Sequence, residues 1–324
     1  MERYIRQTTL PLVGEEGQKK LLSGSALIIG AGGLGVPASL YLAGAGVGRI
    51  GILDDDTISL TNLHRQVIYT EKDIGAPKAQ QLAQHLKQLN TDIDVNVYLQ
   101  RLKSSNASEL VAQYDVVIDA ADNFVTTYLL NDICQENNTP LVSASVIGCK
   151  GYVGIFGVQS PSYRAVFPEL PEEAKTCSEA GVLAPIVGII GMMQAQETIK
   201  IFLNADTALY GRLQIVDIWE NRFSSMDFSD AKEPENYASV ALLSHDELRA
   251  TDTLIDVRSS TEHAQQPVKN AINIPVDELL FNLDKLDFSH RLVFVCASGQ
   301  RATRAAFMLA KEHSCQTAVM HNAD

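Results

Sequence analysis

The stretch Ala26-Leu27-Ile28-Ile29-Gly30-Ala31-Gly32-Gly33-Leu34-Gly35 joins a short apolar strand to a small-residue helix through a glycine-rich turn. It fits the pattern G-x-G-x-x-G, and its surroundings make the pattern informative. A helix is predicted over Leu34 to Ala45, the next strand over Arg49 to Leu53, and Asp54 ends that strand. Glycines let backbone approach a phosphate, a helix start offers N–H groups with no partner inside the helix, and a carboxylate one strand on accepts the ribose hydroxyls. Gly30, Gly32, Gly33, Gly35 and Asp54 are therefore candidate nucleotide-binding residues. Taken alone, the turn suits an NAD-dependent oxidoreductase.

Outward from the turn, strands and helices alternate. Apolar residues at helical spacing over Lys78 to Leu89 predict a helix, and Val95 to Leu99, Asp115 to Asp119 and Pro140 to Ser143 read as strands. Alternation of this kind predicts an α/β fold with a Rossmann-like, doubly wound, mainly parallel sheet. Gly151 to Phe156 is a further strand, Phe167 to Ala180 a polar surface loop, and Leu183 to Phe202 a strongly apolar helix. Residues 227–239, acidic and poor in large apolar side chains, read as a linker between a first domain of residues 1–226 and a second, smaller α/β domain of residues 240–324. In the latter, Thr253 to Val257 and Leu292 to Val295 are strands and Ala302 to Lys311 a helix.

The 324 residues carry a net charge of −13, which argues against a nucleic-acid partner because phosphate backbones require a basic face. The start, Met1 to Arg6, is too polar to open a secretory signal, and no apolar run approaches the roughly 18 residues of a membrane span. These features point to a cytoplasmic protein with no membrane partner. The five cysteines include no C-x-x-C pair, so neither a disulfide framework nor a four-cysteine zinc site is offered.

The residues beyond Asp54 argue against hydride transfer. Asn62 and Arg65 come shortly after it, and Lys78 opens a helix after Gly75-Ala76-Pro77. A forked guanidinium and a compact ammonium suit a triphosphate, which a dinucleotide used for hydride transfer does not contain. Asp122, in Asp119-Ala120-Ala121-Asp122-Asn123, sits where a carboxylate holds Mg²⁺ against the same phosphates.

With these motifs the sequence resembles the MoeB/ThiF family of ubiquitin-activating-enzyme-like adenylyltransferases. The match runs from Arg3-Tyr4-x-Arg6-Gln7 to about Phe223 and includes Asn62-Leu63-x-Arg65-Gln66 and Thr176-Cys177-x-Glu179-Ala180-Gly181-Val182. The resemblance implies a homodimer that uses MgATP to adenylate the C-terminal glycine of a small ubiquitin-fold sulfur-carrier protein ending in Gly-Gly, in molybdopterin, thiamine or related sulfur-transfer biosynthesis. It assigns Gly32, Asp54 and Asn123 to the nucleotide, Asn62, Arg65 and Lys78 to its phosphates, Asp122 to magnesium, and Arg6 to the γ-phosphate of the neighbouring subunit's ATP. Cys177 matches a cysteine that, in relatives, takes the carrier's acyl group or receives sulfur. Where many relatives carry the first zinc-binding cysteine pair this chain has Ser162-Tyr163-Arg164-Ala165, so no structural zinc is expected.

In the second domain, Cys296-Ala297-Ser298-Gly299-Gln300-Arg301 lies between a strand and a helix. Backbone N–H groups, the helix start and Arg301 would all favour a thiolate at Cys296 and cradle a persulfide. The loop resembles the C-x-x-G-x-R loop of rhodanese sulfurtransferases, and Leu254 to Arg258 and Ala271 to Pro275 sit at family-like positions. The chain stops at Asp324, before the last helix of that family. Fusion implies that sulfur from a sulfane donor passes through Cys296, directly or through Cys177, to the adenylated carrier; the alternative is a non-catalytic docking module. Cys134 and Cys149 are expected to be buried small hydrophobes.

Overall fold

The computed structural model describes residues 2–170, 181–235, 237, 239–297, 299–313 and 315–321. Two short helices, α1 (Ile5–Thr8) and α2 (Gly14–Ser23), precede β1 (Ser25–Ile29), α3 (Gly35–Ala45), β2 (Arg49–Leu53), α4 (Lys78–Leu89), β3 (Asp94–Tyr98), α5 (Ala107–Val111), β4 (Val116–Asp119), α6 (Phe124–Glu136) and β5 (Leu141–Ile147). The chain continues through β6 (Lys150–Phe156), α7 (Tyr163–Val166), α8 (Ala184–Leu203), β7 (Arg212–Asp217) and β8 (Arg222–Asp227). The eight strands form one sheet in the order β3-β2-β1-β4-β5-β6-β7-β8, parallel through β5 and antiparallel from there on. The order reverses between β1 and β4, and crevices at such reversals, beyond the carboxyl ends of the strands, are where ligands bind in open α/β sheets.

Residue choice explains the elements. β1 is Ser-Ala-Leu-Ile-Ile and buried along its whole length, as a central parallel strand covered on both faces must be. α4 turns Ala79, Leu82, Ala83 and Leu86 to the core, the four-residue and three-residue spacing of one helical face. α3 ends at Gly46 with φ +83, a left-handed closure available to glycine at little cost.

By length and composition α8 is apolar enough to cross a membrane, contrary to the sequence expectation. It is instead a core helix, packed on α3, β5 and β6. The buried Gln194 side chain of α8 donates to the carbonyls of Asp119 and Val142, which ties the helix to the ends of β4 and β5.

The second domain has β9 (Val240–Leu243), β10 (Thr253–Asp256), α9 (Ser260–Gln265), β11 (Ile272–Asn273), β12 (Leu292–Cys296), α10 (Gln300–Glu312) and β13 (Thr317–His321), in a parallel sheet of order β11-β10-β12-β13-β9. Cys296 ends the central strand. The connecting segment is anchored to the first domain at two points. Phe228 is buried, and Glu233 accepts from the backbone N–H and the hydroxyl of Ser162 at 2.7 and 2.5 Å. The domains also meet along the edge strand β9, where Ser104 N–H donates to the Leu242 carbonyl and Leu242 N–H donates to the Ser104 hydroxyl.

Candidate active site

Beyond the carboxyl ends of β1, β2 and β4 lies a cleft of about 440 Å³, a volume in the range of small-molecule sites. Its wall brings together Gly30, Gly32, Gly33, Asp54, Asn62, Arg65, Lys78, Asp122 and Asn123, nearly all the candidates the sequence offers for the first domain. Gly35 lies beneath it at the start of α3.

The glycines have separable reasons. Gly30 has φ +103, and a Cβ there would stand 2.7 Å from the Ala120 carbonyl oxygen. A Cβ at Gly35 would stand 1.9 Å from the Gly30 carbonyl oxygen, so strand and helix approach too closely for any side chain. At Gly33 it would strike Val187 of α8 at 2.4 Å. Gly32 differs: a Cβ there meets only the Gln66 amide nitrogen, at 3.6 Å, and would otherwise project into the cleft. The space a side chain would fill is what a phosphate needs.

Asp54 braces the turn from below. One oxygen accepts the Ala31 N–H at 2.7 Å and the other the Asp56 N–H at 2.8 Å. Burial raises the carboxyl above its ordinary range, partly offset by these bonds and by Lys78. Lys78 is itself almost buried and pairs with Asp56 at 2.8 Å, so its charge is already matched by a carboxylate that is mostly exposed and able to swing away. Arg65 is held by the Thr61 carbonyl at 3.1 Å and sits against His64 at 2.9 Å. Asn62 accepts the Ser59 N–H through its side-chain oxygen, leaving its NH₂ as a donor toward the cleft it lines.

Asp122 is exposed on the opposite wall, and Asn123 caps α6 by accepting the Thr126 N–H at 3.0 Å. Beneath them Asp119 is fully buried, and burial pushes its carboxyl up to about 6 despite bonds from Thr127, Ser143 and the Ala121 N–H. Gln66, the last residue of the Asn62-Leu63-x-Arg65-Gln66 motif, gains a role only from the structure. It is 3% exposed on the cleft wall and its side-chain oxygen has no hydrogen-bond partner, an orphaned acceptor that a bound ligand's hydroxyl or amino group would satisfy. Arg6 lies exposed on α1, outside this cleft.

Gln300, the first residue of α10, also lines the cleft. Cys296 is buried, with its Sγ 3.4 Å from the Ala302 N–H at the start of α10. Gly299 holds φ +78 to form the turn. Arg301, five residues beyond the thiol, forks onto Glu262 of α9 at 2.7 and 2.8 Å, and this pairing lowers the Glu262 carboxyl to about 2. Neighbouring Asp256 accepts from Arg258 and from His263. Cys134 is buried and its thiol pushed well up by burial, as expected of a structural cysteine. Cys149 is only half-buried, in the turn between β5 and β6 rather than in a strand. Cys177 lies outside the described residues.

The architecture is thus a nucleotide-binding Rossmann-like domain joined to a sulfurtransferase-type domain whose helix after the cysteine loop borders the nucleotide cleft through Gln300. The chain belongs to the ThiF family, which it matches over residues 4–238, and residues 240–322 match the Rhodanese-like domain. It is 38% identical over 320 residues to an adenylyltransferase and sulfurtransferase MOCS3 of Culex quinquefasciatus, covering 86% of this chain and 73% of that protein. It is 41% identical over 230 residues to a SAMP-activating enzyme E1 of Haloferax volcanii, covering 70% of this chain and 85% of that one. Among solved structures, the Microcin C7 biosynthetic enzyme MccB in complex with N-formylated MccA superposes with a TM-score of 0.62 at 23% identity, over 70% of this chain and 72% of that one, a likeness of fold.

Proposed function

We propose that the protein is an ATP-dependent adenylyltransferase and sulfurtransferase that activates the C-terminal glycine of a small ubiquitin-fold sulfur-carrier protein and converts it to a thiocarboxylate. The observation that carries this reading is a single cleft lined both by the glycine turn with its cations and by Gln300, which opens the helix that follows the Cys296 loop. Relatives named as adenylyltransferases and sulfurtransferases, and one named as a sulfur carrier protein adenylyltransferase, support it.

In the first step a carrier carboxylate oxygen attacks the α-phosphorus of ATP, pyrophosphate leaves, and an acyl-adenylate forms. A carboxylate is already nucleophilic, so the protein supplies position and charge rather than a general base. Gly32 admits the phosphates to the backbone, Lys78 exchanges its bond with Asp56 for phosphate oxygens, and Arg65 and Asn62 donate to them. Asp122, an exposed hard oxygen donor on the facing wall, would hold Mg²⁺, which neutralises phosphate charge. Arg6 completes the site of the other subunit in a homodimer.

In the second step the persulfide of Cys296, loaded by a sulfane donor, attacks the acyl carbonyl and AMP leaves, giving an acyl disulfide. A dithiol reductant then cleaves the S–S bond and frees the thiocarboxylate while it is itself oxidised. Residues 1–226 carry the first step, residues 240–324 the second, and the protein works in the cytoplasm.

ATP binding measured by calorimetry tests the nucleotide assignment. ATP with magnesium is expected to bind and NAD not to compete with it; NAD binding in place of ATP would favour the oxidoreductase reading.

A further inference from the structure

Arg164 is an arginine with 3% of its side chain exposed, at the junction of the two domains. Its Nε and Nη2 donate to the two carboxylate oxygens of Asp132 at 2.6 and 2.8 Å, a bidentate fork. Its guanidinium carbon also lies 4.7 Å from the ring centre of Tyr128, 4.3 Å from that of Tyr237 and 5.7 Å from that of Phe307. Asp132 and Tyr128 belong to α6 of the first domain, Tyr237 to the connecting segment and Phe307 to α10 of the second. One cation thus gathers three segments, and Tyr128 meets Phe307 directly with ring centres 5.2 Å apart.

α10 begins at Gln300, immediately after the Cys296 loop, and Phe307 lies seven residues on, about 10 Å along the helix. Holding Phe307 therefore fixes where the helix starts, and its first residue, Gln300, lines the nucleotide cleft. The Lys311–Glu169 pair on the same junction is mostly exposed on both sides, and pairs of that kind hold little in water. A guanidinium among three rings and a carboxylate is a firmer fixture, and lysine cannot reproduce it because it lacks both the fork and the flat face.

We propose that Arg164 is a positioning residue for sulfur transfer, docking the second domain so that the Cys296 loop opens on the nucleotide cleft of the same chain. The inference rests on the two-step function above. Docking raises the effective concentration of persulfide at the acyl-adenylate without touching either reacting atom.

The test uses the full chain with ATP, magnesium, a Gly-Gly-ending ubiquitin-fold carrier and thiosulfate as sulfur source, comparing wild type with Arg164→Met, Arg164→Lys and Tyr237→Ala. Three quantities are read: pyrophosphate exchange into ATP, persulfide loading of Cys296 and its KM for thiosulfate, and single-turnover transfer from the loaded cysteine to adenylated carrier. Exchange and loading are expected to stay within about twofold of wild type in all variants. Transfer is expected to fall about tenfold or more in Arg164→Met and measurably in Tyr237→Ala, with Arg164→Lys no better than intermediate. Free sulfide, which bypasses Cys296, is expected to restore thiocarboxylate in every variant. Transfer at the wild-type rate in Arg164→Met overturns the proposal, and so does a parallel loss of exchange and loading in a folded variant. Should Arg164→Met not fold, Tyr237→Ala decides, since Tyr237 is half-exposed and its loss leaves no buried charge unpaired. A wild-type protein that loads Cys296 but never transfers sulfur refutes the underlying function; a wild type that transfers beside unaffected variants refutes only the docking role.

Discussion

Replacing Lys78 or Asp122 by alanine is expected to lower carrier-dependent exchange of pyrophosphate into ATP by roughly 10²-fold or more, the scale of losing one preorganised charge at a developing anion. Lys78 ends in the cleft with its ammonium 2.8 Å from Asp56, so the substitution removes a phosphate partner and leaves only an exposed carboxylate behind. Asp122 is exposed and the cap of α6 is Asn123, so loss of the Asp122 carboxylate should not disturb that helix. Both variants should melt within a few degrees of wild type. Chelation of divalent cations should bring the wild type down to the level of Asp122→Ala. Normal exchange in both variants would remove the triphosphate assignment.

The second large effect separates the two steps. Cys296→Ala is expected to leave exchange unchanged while thiocarboxylate formation from thiosulfate falls at least about 10²-fold, the effect of removing a covalent sulfur carrier. Cys296 lies at the end of the central strand of the second sheet and is fully buried, so alanine leaves a small void costing about 1 kcal/mol, which a melting curve would register without unfolding the domain. Thiocarboxylate at the wild-type rate in this variant would assign the second domain a docking role only.

Much of the fold is legible in the sequence because the informative interactions are local. The glycine turn, the strand before it and the helix after it are neighbours along the chain, and α4 falls on the residues its apolar spacing marks. The antiparallel extension beyond β6, formed by β7 and β8, is harder to read. β8 is exposed along its whole length and carries no core-facing alternation, so only its pairing with β7 reveals it.

The site is legible residue by residue but not in its pairings. Nothing near Lys78 announces that Asp56, twenty-two positions earlier, holds its ammonium. Arg301 stands five residues from the thiol, and nothing local announces that Glu262, thirty-nine residues earlier, also pairs with it. The Arg164 cluster joins residues 128, 132, 164, 237 and 307, a long-range set that no local pattern encodes. Gln66 carries a signal in its motif, but its orphaned oxygen is visible only once the cleft closes around it.

The most direct measurement is intact-mass spectrometry of a Gly-Gly-ending ubiquitin-fold carrier after incubation with the protein, ATP, magnesium, thiosulfate and a dithiol. The carrier is expected to gain the mass difference between sulfur and oxygen, only when ATP is present and only with Cys296 intact. A carrier that remains unmodified while the protein binds ATP and its Cys296 carries persulfide would contradict the account.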